Sequence, residues 1–224
     1  MQPPNLPFDP LAPENLLRAY QLGIFPMAES VDSKVIQWVR PHTRGIFPLD
    51  GFHVPRRLAR IVRCDRFQVV IDRDFRGVME ACAAWTPERS ESWINPDIID
   101  AYCRLFELGH AHSVECLDQD GAFAGGLYGV SIGGAFFGES MVTKVRDASK
   151  VALVHLVGRL LSGGFTLLDA QFTNPHLERF GAATITQEDY LTKLHHALGV
   201  RGQFYSMPAV SKGSDVLHEI THTS

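Results

Sequence analysis

Apolar positions along the chain repeat with two periods, near 3.6 and near 2, and the switches between them lay out the expected elements. Pro13 suits the first turn of a short helix over 14–22, which Gly23 closes. Residues 35–39 alternate as a strand does. A helix over 55–62, a strand over 67–71 and a helix from Asp74 to about Ala84 follow, and residues 85–92 read as a polar loop. Asn95 or Pro96 then opens a longer helix through Glu107, with Ile98, Ile99, Tyr102, Leu105 and Phe106 on one face. Three strands, 111–116, 122–128 and 133–137, form an antiparallel meander turning at Asp120-Gly121 and around Ser131-Ile132.

The most apolar stretch comes next. The aromatic strand Ala135-Phe136-Phe137 is expected to end at Gly138-Glu139-Ser140, and a polar link leads to a helix that Asp147 caps. From 151 to 161 this helix is apolar almost all round, so most of its surface is buried. Gly163-Gly164 stop it, and a second strand over 166–168 completes a right-handed βαβ unit. A short helix over 176–179, a strand over 183–185 and a helix over 187–197 follow, while the tail beyond Arg201 carries no strong pattern. The pattern supports an α/β or α+β fold with a mixed sheet. Residues 1–45 are expected to form a small N-terminal subdomain and 46–224 the main domain.

Composition narrows the function classes. A chain of 224 residues with 45% hydrophobic content supports a sizeable core. No apolar run is long enough to cross a bilayer, and the first residues lack the charged and apolar regions of a signal peptide, so a cytoplasmic location is expected. Cys64, Cys82, Cys103 and Cys116 show no CxxC pair and read as reduced thiols. His110, His112 and Cys116 come nearest to a zinc spacing and fall short of one, so no metal is expected. A net charge of −4 argues against indiscriminate nucleic-acid binding. Its distribution is uneven: Arg56, Arg57, Arg60, Arg63 and Arg66 face a single Asp65, and Arg56, Arg60 and Arg63 share one helical face.

Candidate chemistry lies at the strand ends. Side chains alternate along a strand, so Asp169 and Gln171 are expected to point the same way with Ala170 between them. Glu139 would close the neighbouring strand. Two carboxylates and an amide are thereby expected to converge on one pocket.

GESM (138–141), D-A-S-K-x-A-L (147–153), L-L-D-A-Q (167–171) and N-x-H (174–176) together resemble the leucyl/phenylalanyl-tRNA–protein transferases. The resemblance extends through Leu17-x-x-Tyr20-x-x-Gly23-Ile24-Phe25-Pro26, Trp93-Ile94, the run 109–115 and Gly125-Gly126-Leu127-Tyr128-Gly129, covering roughly residues 15–195 in order. It implies a GNAT-like (acetyltransferase-type) main domain. It also implies transfer of Leu or Phe, less readily Met, from Leu-tRNA or Phe-tRNA to acceptor proteins with N-terminal Arg or Lys, marking them for degradation. No cofactor, metal or covalent intermediate is needed, because the ester is already activated and a free α-amine, pKa about 7.7–8, is partly unprotonated at neutral pH. Asp169 would act as general base or orient the incoming amine, Gln171 would relay or hold that amine through its carbonyl oxygen, and Glu139 would meet a cation, either the acceptor's Arg or Lys or the α-ammonium of the transferred amino acid.

The resemblance further implies an aminoacyl pocket drawn from Leu127, Phe136, Gly138, Met141, Leu153, Leu156, Leu160 and Leu168. The terminal adenosine would stack on Trp38, Trp93 or Tyr20, and the tRNA phosphates would meet Arg56, Arg57, Arg60 and Arg63. The chain departs from the family pattern at Met27, where the family usually has Trp, and at Val142, Asp147 and Ala170. Two rivals remain. A GNAT-type acyl-CoA-dependent N-acetyltransferase would want a glycine-rich phosphate loop, yet 143–148 has no glycine and carries Asp147. A non-catalytic RNA-binding module accounts for the arginine face but not for polar groups at apolar strand ends.

Overall fold

The computed structural model describes residues 9–84 and 92–222, so most of the expected loop over 85–92 lies outside the described residues. Helix α1 (Pro13–Gln21) starts with a proline whose missing N–H costs nothing at that position. Gly23, at φ +73°, turns the chain into a two-stranded antiparallel sheet of β1 (Phe25–Ala28) and β2 (Ile36–Val39). The next strand, β3 (Thr43–Phe47), already belongs to the main sheet, so residue 45 falls inside a strand.

Helix α2 (Arg56–Arg63), strand β4 (Gln68–Ile71) and helix α3 (Phe75–Ala83) follow. Asp74 caps α3 by accepting from the Gly77 N–H at 3.0 Å, and Asn95 caps α4 (Pro96–Glu107) by accepting from the Ile98 N–H at 2.8 Å. Strands β5 (Ala111–Leu117), β6 (Phe123–Ile132) and β7 (Ala135–Thr143) then form the meander. Helix α5 (Ala148–Ser162) crosses to β8 (Leu167–Gln171), and α6 (Pro175–Glu178), β9 (Ala183–Thr186), α7 (Gln187–Leu198) and α8 (Gly213–His222) complete the described chain. The seven strands of the main sheet run in the order β4-β5-β6-β7-β8-β3-β9, with β7 and β8 parallel and every other pair antiparallel. This is the α+β mixed sheet with a small N-terminal part that the sequence indicated.

Apolar cores lie on both faces of the sheet. Alternation along β7 and β8 sends Phe136 and Leu168 into the core on the α5 side and Phe137 and Leu167 into the core shared with α1, α3, α4 and α7. Among the described residues no helix is long and apolar enough to cross a membrane.

Four local expectations need correction. The β6–β7 turn falls at Gly133-Gly134, not around Ser131-Ile132, because Gly133 supplies the positive φ, +58°, that the turn requires. Glu139 does not end its strand: β7 stays paired with β6 out to Thr143, after its pairing with β8 has stopped at Phe137–Asp169. Asp147 adopts the left-handed conformation, φ +75°, and its side chain bonds Arg57 and Lys150 instead of capping α5. The tail holds a helix, α8, built on Val216, Leu217 and Ile220. It packs so closely on α5 that a Cβ at Gly158 would come within 2.8 Å of Val216 Cγ1.

Candidate active site

Beyond the Phe137–Asp169 pair the two parallel strands part company. Strand β7 follows β6, while β8 follows β3, where the register shifts between Gly45 and Ile46. The divergence opens a cavity of about 440 Å³, within the usual range for small-molecule sites of about 300–1,000 Å³. Leu127, Met141, Leu153, Leu156 and Leu168 form its apolar wall with Gly138, and Glu139, Asp169 and Gln171 stand together along it.

Glu139 is buried and receives a 2.7 Å hydrogen bond from the Tyr20 hydroxyl. The Tyr102 hydroxyl bonds Tyr20 and reaches Glu139 Oε2 only at 3.4 Å, which leaves that oxygen weakly engaged. Burial pushes the Glu139 carboxyl up from 4.5 to about 7 and the nearby Asp169 charge adds to the rise, while Tyr20, Gln171 and Arg44 hold it down. A carboxyl that exchanges its proton near neutrality faces an apolar cavity.

Asp169 is completely buried and fully engaged. Its Oδ1 accepts from Arg44 Nε at 2.9 Å and from the Gln171 backbone N–H at 2.7 Å; its Oδ2 accepts from Arg44 Nη2 at 2.5 Å and from the Tyr190 hydroxyl at 2.7 Å. An ionised carboxylate offers about four lone-pair positions, and all four are taken. Asp169 therefore has none left for an incoming amine, and the expectation that it meets the amine directly does not fit this geometry. Arg44 is itself buried between two rings, 4.6 Å from the Phe25 centroid and 4.7 Å from that of Tyr190.

Gln171 does not sit in regular strand alternation. Its φ is +60°, and Phe172 N–H donates to the Ala170 carbonyl at 2.6 Å, a γ-turn centred on Gln171. Gly45 lies opposite, where a Cβ would come within 2.7 Å of the Phe172 backbone. The turn lets Asp169, Ala170 and Gln171 all contribute to the cavity wall, although simple alternation would turn Ala170 away. The Gln171 side-chain amide lies beside Glu139 and holds its pKa down, in a geometry looser than that of a well-formed hydrogen bond.

Of the eight residues expected in the aminoacyl pocket, six line the cavity. Phe136 and Leu160 do not: both are fully buried in the α5-side core, where Phe136 stacks on Phe204 with centroids 5.7 Å apart. Trp93 lines the cavity, half-buried, beside Met27 and the exposed Phe172. Tyr20 is fully buried and cannot stack a base, because its ring packs on Phe137 and its hydroxyl serves Glu139. Trp38 lines a separate cleft with Arg18, Leu22 and Ile24. Arg56, Arg57, Arg60 and Arg63 are exposed on α2, but Arg57 is committed to Asp147 at 2.6 Å. Among the described residues no group of three or more His, Cys, Asp or Glu side chains could hold a metal ion.

Sequence reasoning missed Arg44, Tyr102, Tyr190 and the rim residues Asn174 and Leu177 as part of the site. Arg44 and Asp169 are 125 positions apart, and nothing local to either announces the pairing.

Comparison with known proteins accords with this geometry. Residues 46–195 match the family described as leucyl/phenylalanyl-tRNA protein transferase, and residues 9–42 match that family's N-terminal domain. A leucyl/phenylalanyl-tRNA–protein transferase of Rhodopseudomonas palustris (strain HaA2) is 56% identical over 198 residues, covering 88% of each chain. Proteins of the same name from Afipia carboxidovorans and Phenylobacterium zucineum are 52% identical over 216 residues (96% of this chain, 95% of the relative) and 53% identical over 201 residues (90% of each). With matches of this extent over both parts of the chain, the protein belongs to the leucyl/phenylalanyl-tRNA–protein transferase family.

Proposed function

We propose that this protein carries leucine or phenylalanine, and less readily methionine, from aminoacyl-tRNA to the N-terminal Arg or Lys of acceptor proteins in the cytoplasm, marking them for degradation. The observation that carries the reading is one cavity that joins an apolar wall to the carboxyl of Glu139. The leucine or phenylalanine side chain enters between Leu127, Met141, Leu153, Leu156 and Leu168. Met141 adapts its unbranched thioether to either shape. A pocket that measures apolar volume discriminates by only about 1–3 kcal/mol per methylene, which explains leakage to methionine.

Chemistry follows from what the site holds still. An amine attacks an activated ester, so alignment supplies much of the acceleration. Glu139, with a pKa raised to about 7, is matched to an amine of pKa about 7.7–8 and is the proton acceptor in this reading. Asp169 acts through its frame, not on the substrate. Within the same reading the front unit, residues 1–45, contributes Tyr20 and Met27 to the site, Trp93 with Met27 receives the terminal adenosine, and Arg56, Arg60 and Arg63 meet tRNA phosphates.

The acetyl-CoA alternative is disfavoured by a specific contact. The N-terminus of α5, where a pyrophosphate would lie in such an enzyme, is beside the buried Asp147 carboxylate, which Arg57 and Lys150 neutralise. The test is transfer of labelled phenylalanine from Phe-tRNA to a peptide beginning with Arg, beside one beginning with Ala. Label on the Arg peptide alone is expected; label on both peptides, or on neither, contradicts the proposal.

A further inference from the structure

Several features outside the proposed chemistry are accounted for by packing. Arg159 pins the segment before α8 through the carbonyls of Phe204, Met207 and Pro208, and the Asp72–His112–Tyr205 cluster fastens the same segment. A cleft beside β4 mixes Asp65 and Asp118 with Arg66 and Lys212, so it favours no ligand of one sign. The mouth of the active-site cavity differs, because α5 and α6 bring cations to it.

Leu153 and Leu156 of α5 face the cavity, and Lys150 stands one turn before Leu153 on the same stripe, so the leucine wall continues into an ammonium. On α6 the exposed His176 lines the cavity, and exposed Arg179 follows three residues later on the same side. Glu178, two residues from His176, is turned about 200° round the helix from it. Burial, then the neighbouring charges of Lys150 and Arg179, lowers the His176 pKa, so the three groups sense one another across the gap between α5 and α6. Asp147 is one carboxylate among three cations, with Arg57 at 2.6 Å, Lys150 at 3.3 Å and Arg146 at 3.9 Å. Like charges gathered in this way repel one another, and a bound anion relieves the repulsion.

We propose that Lys150, His176 and Arg179 form the site for the phosphodiester on the 5′ oxygen of the tRNA's terminal adenosine. This assignment rests on the transfer reaction proposed above and names the part of the donor that the cavity mouth holds. The ribose that carries the aminoacyl ester also carries this phosphate, so an amino acid whose side chain fills the cavity leaves the phosphate at the mouth. The base then lies towards Met27 and Trp93, and the phosphate towards α5 and α6. Side chains take the phosphate there, not the amides at the N-terminus of α5, beside which Asp147 stands. A phosphodiester carries one negative charge and oxygens that only accept, while Lys150 and Arg179 only donate and a neutral His176 has one N–H to give. Arg57, bonded to Asp147, ties α2 to this rim, so the RNA backbone has a cationic path from the mouth to the arginines of α2.

Two unreactive probes test the assignment: phenylalanine joined by an amide to 3′-amino-3′-deoxyadenosine, with and without a methyl phosphodiester on the 5′ oxygen. Their Kd values are measured by calorimetry on the whole protein at low and high salt. Wild type is expected to bind the phosphodiester probe about three- to tenfold more tightly at low salt, with the preference shrinking as salt screens it. Lys150→Gln and Arg179→Gln are each expected to reduce that preference, and the double variant to abolish it, while the Kd of the uncharged probe stays within about twofold of wild type. Equal affinity of wild type for the two probes overturns the assignment, as does a preference that survives the double variant or a loss shared equally by both probes. Failure of wild type to bind either probe overturns the donor site itself, and this assignment with it.

Discussion

Holding Glu139 in an apolar wall should cost stability, and the cost should depend on pH. Burial raises this carboxyl from 4.5 to about 7, so between those values the folded protein binds a proton that the unfolded chain has released. The stabilising contribution is complete below about pH 4.5 and is lost as pH rises through about 7. A change from 4.5 to about 7 corresponds to about 3 kcal/mol, a large part of the roughly 5–15 kcal/mol that keeps a domain folded. His155 works in the opposite direction: burial lowers it from 6.5 to about 4, so its contribution is present above about 6.5 and lost as pH falls towards 4. Comparing wild type with Glu139→Gln cancels the histidine. Gln keeps an oxygen to accept from Tyr20 and has no charge to bury. Urea denaturation at pH 5 and pH 8 is therefore expected to show similar stabilities at pH 5 and a variant more stable by up to about 3 kcal/mol at pH 8, with transfer activity reduced. Equal stability of variant and wild type at both pH values would refute the claim that Glu139 is held against its charge.

The Arg44–Asp169 pair should behave as a unit. Asp169→Leu leaves a guanidinium unpaired in the interior and is expected to cost about 3–5 kcal/mol, whereas the double substitution with Arg44→Met should cost clearly less than the sum of the two single ones; additive urea midpoints would contradict a direct pair. Arg60→Ala should reduce the slope of log affinity for Phe-tRNA against log salt by about 1, and Arg57→Ala, already engaged by Asp147, should change it less; equal slopes for wild type and Arg60→Ala would remove α2 from the RNA surface.

Most of the fold was legible because its elements announce themselves locally. Asp74 and Asn95 cap helices where the sequence says they should, and the apolar run of α5 is buried as its lack of a polar face implies. Asp147 misled because a good capping residue is chosen by type, while its backbone went left-handed and its charge was claimed by Arg57. Helix α8 escaped notice because its apolar residues are few and its stability comes from seating against Gly158 and α2. The site divides in the same way. Glu139 and Gln171 could be named from strand position, and the leucines of the cavity wall from the family resemblance. Arg44 and Tyr190 could not, since a buried ion pair between distant segments leaves no periodic trace in either. Positive φ at Gln171 was likewise hidden, because a strand pattern in the sequence does not show where a γ-turn interrupts it.

The central claim is that the transferred amino acid sits in the cavity between β7 and β8. A crystal structure with phenylalanine joined to adenosine through an unreactive amide tests it most directly. Density for the phenyl ring is expected among Leu127, Met141, Leu153, Leu156 and Leu168. A phenyl ring bound outside that cavity, or the cavity left empty while the adenosine binds elsewhere, would contradict the account.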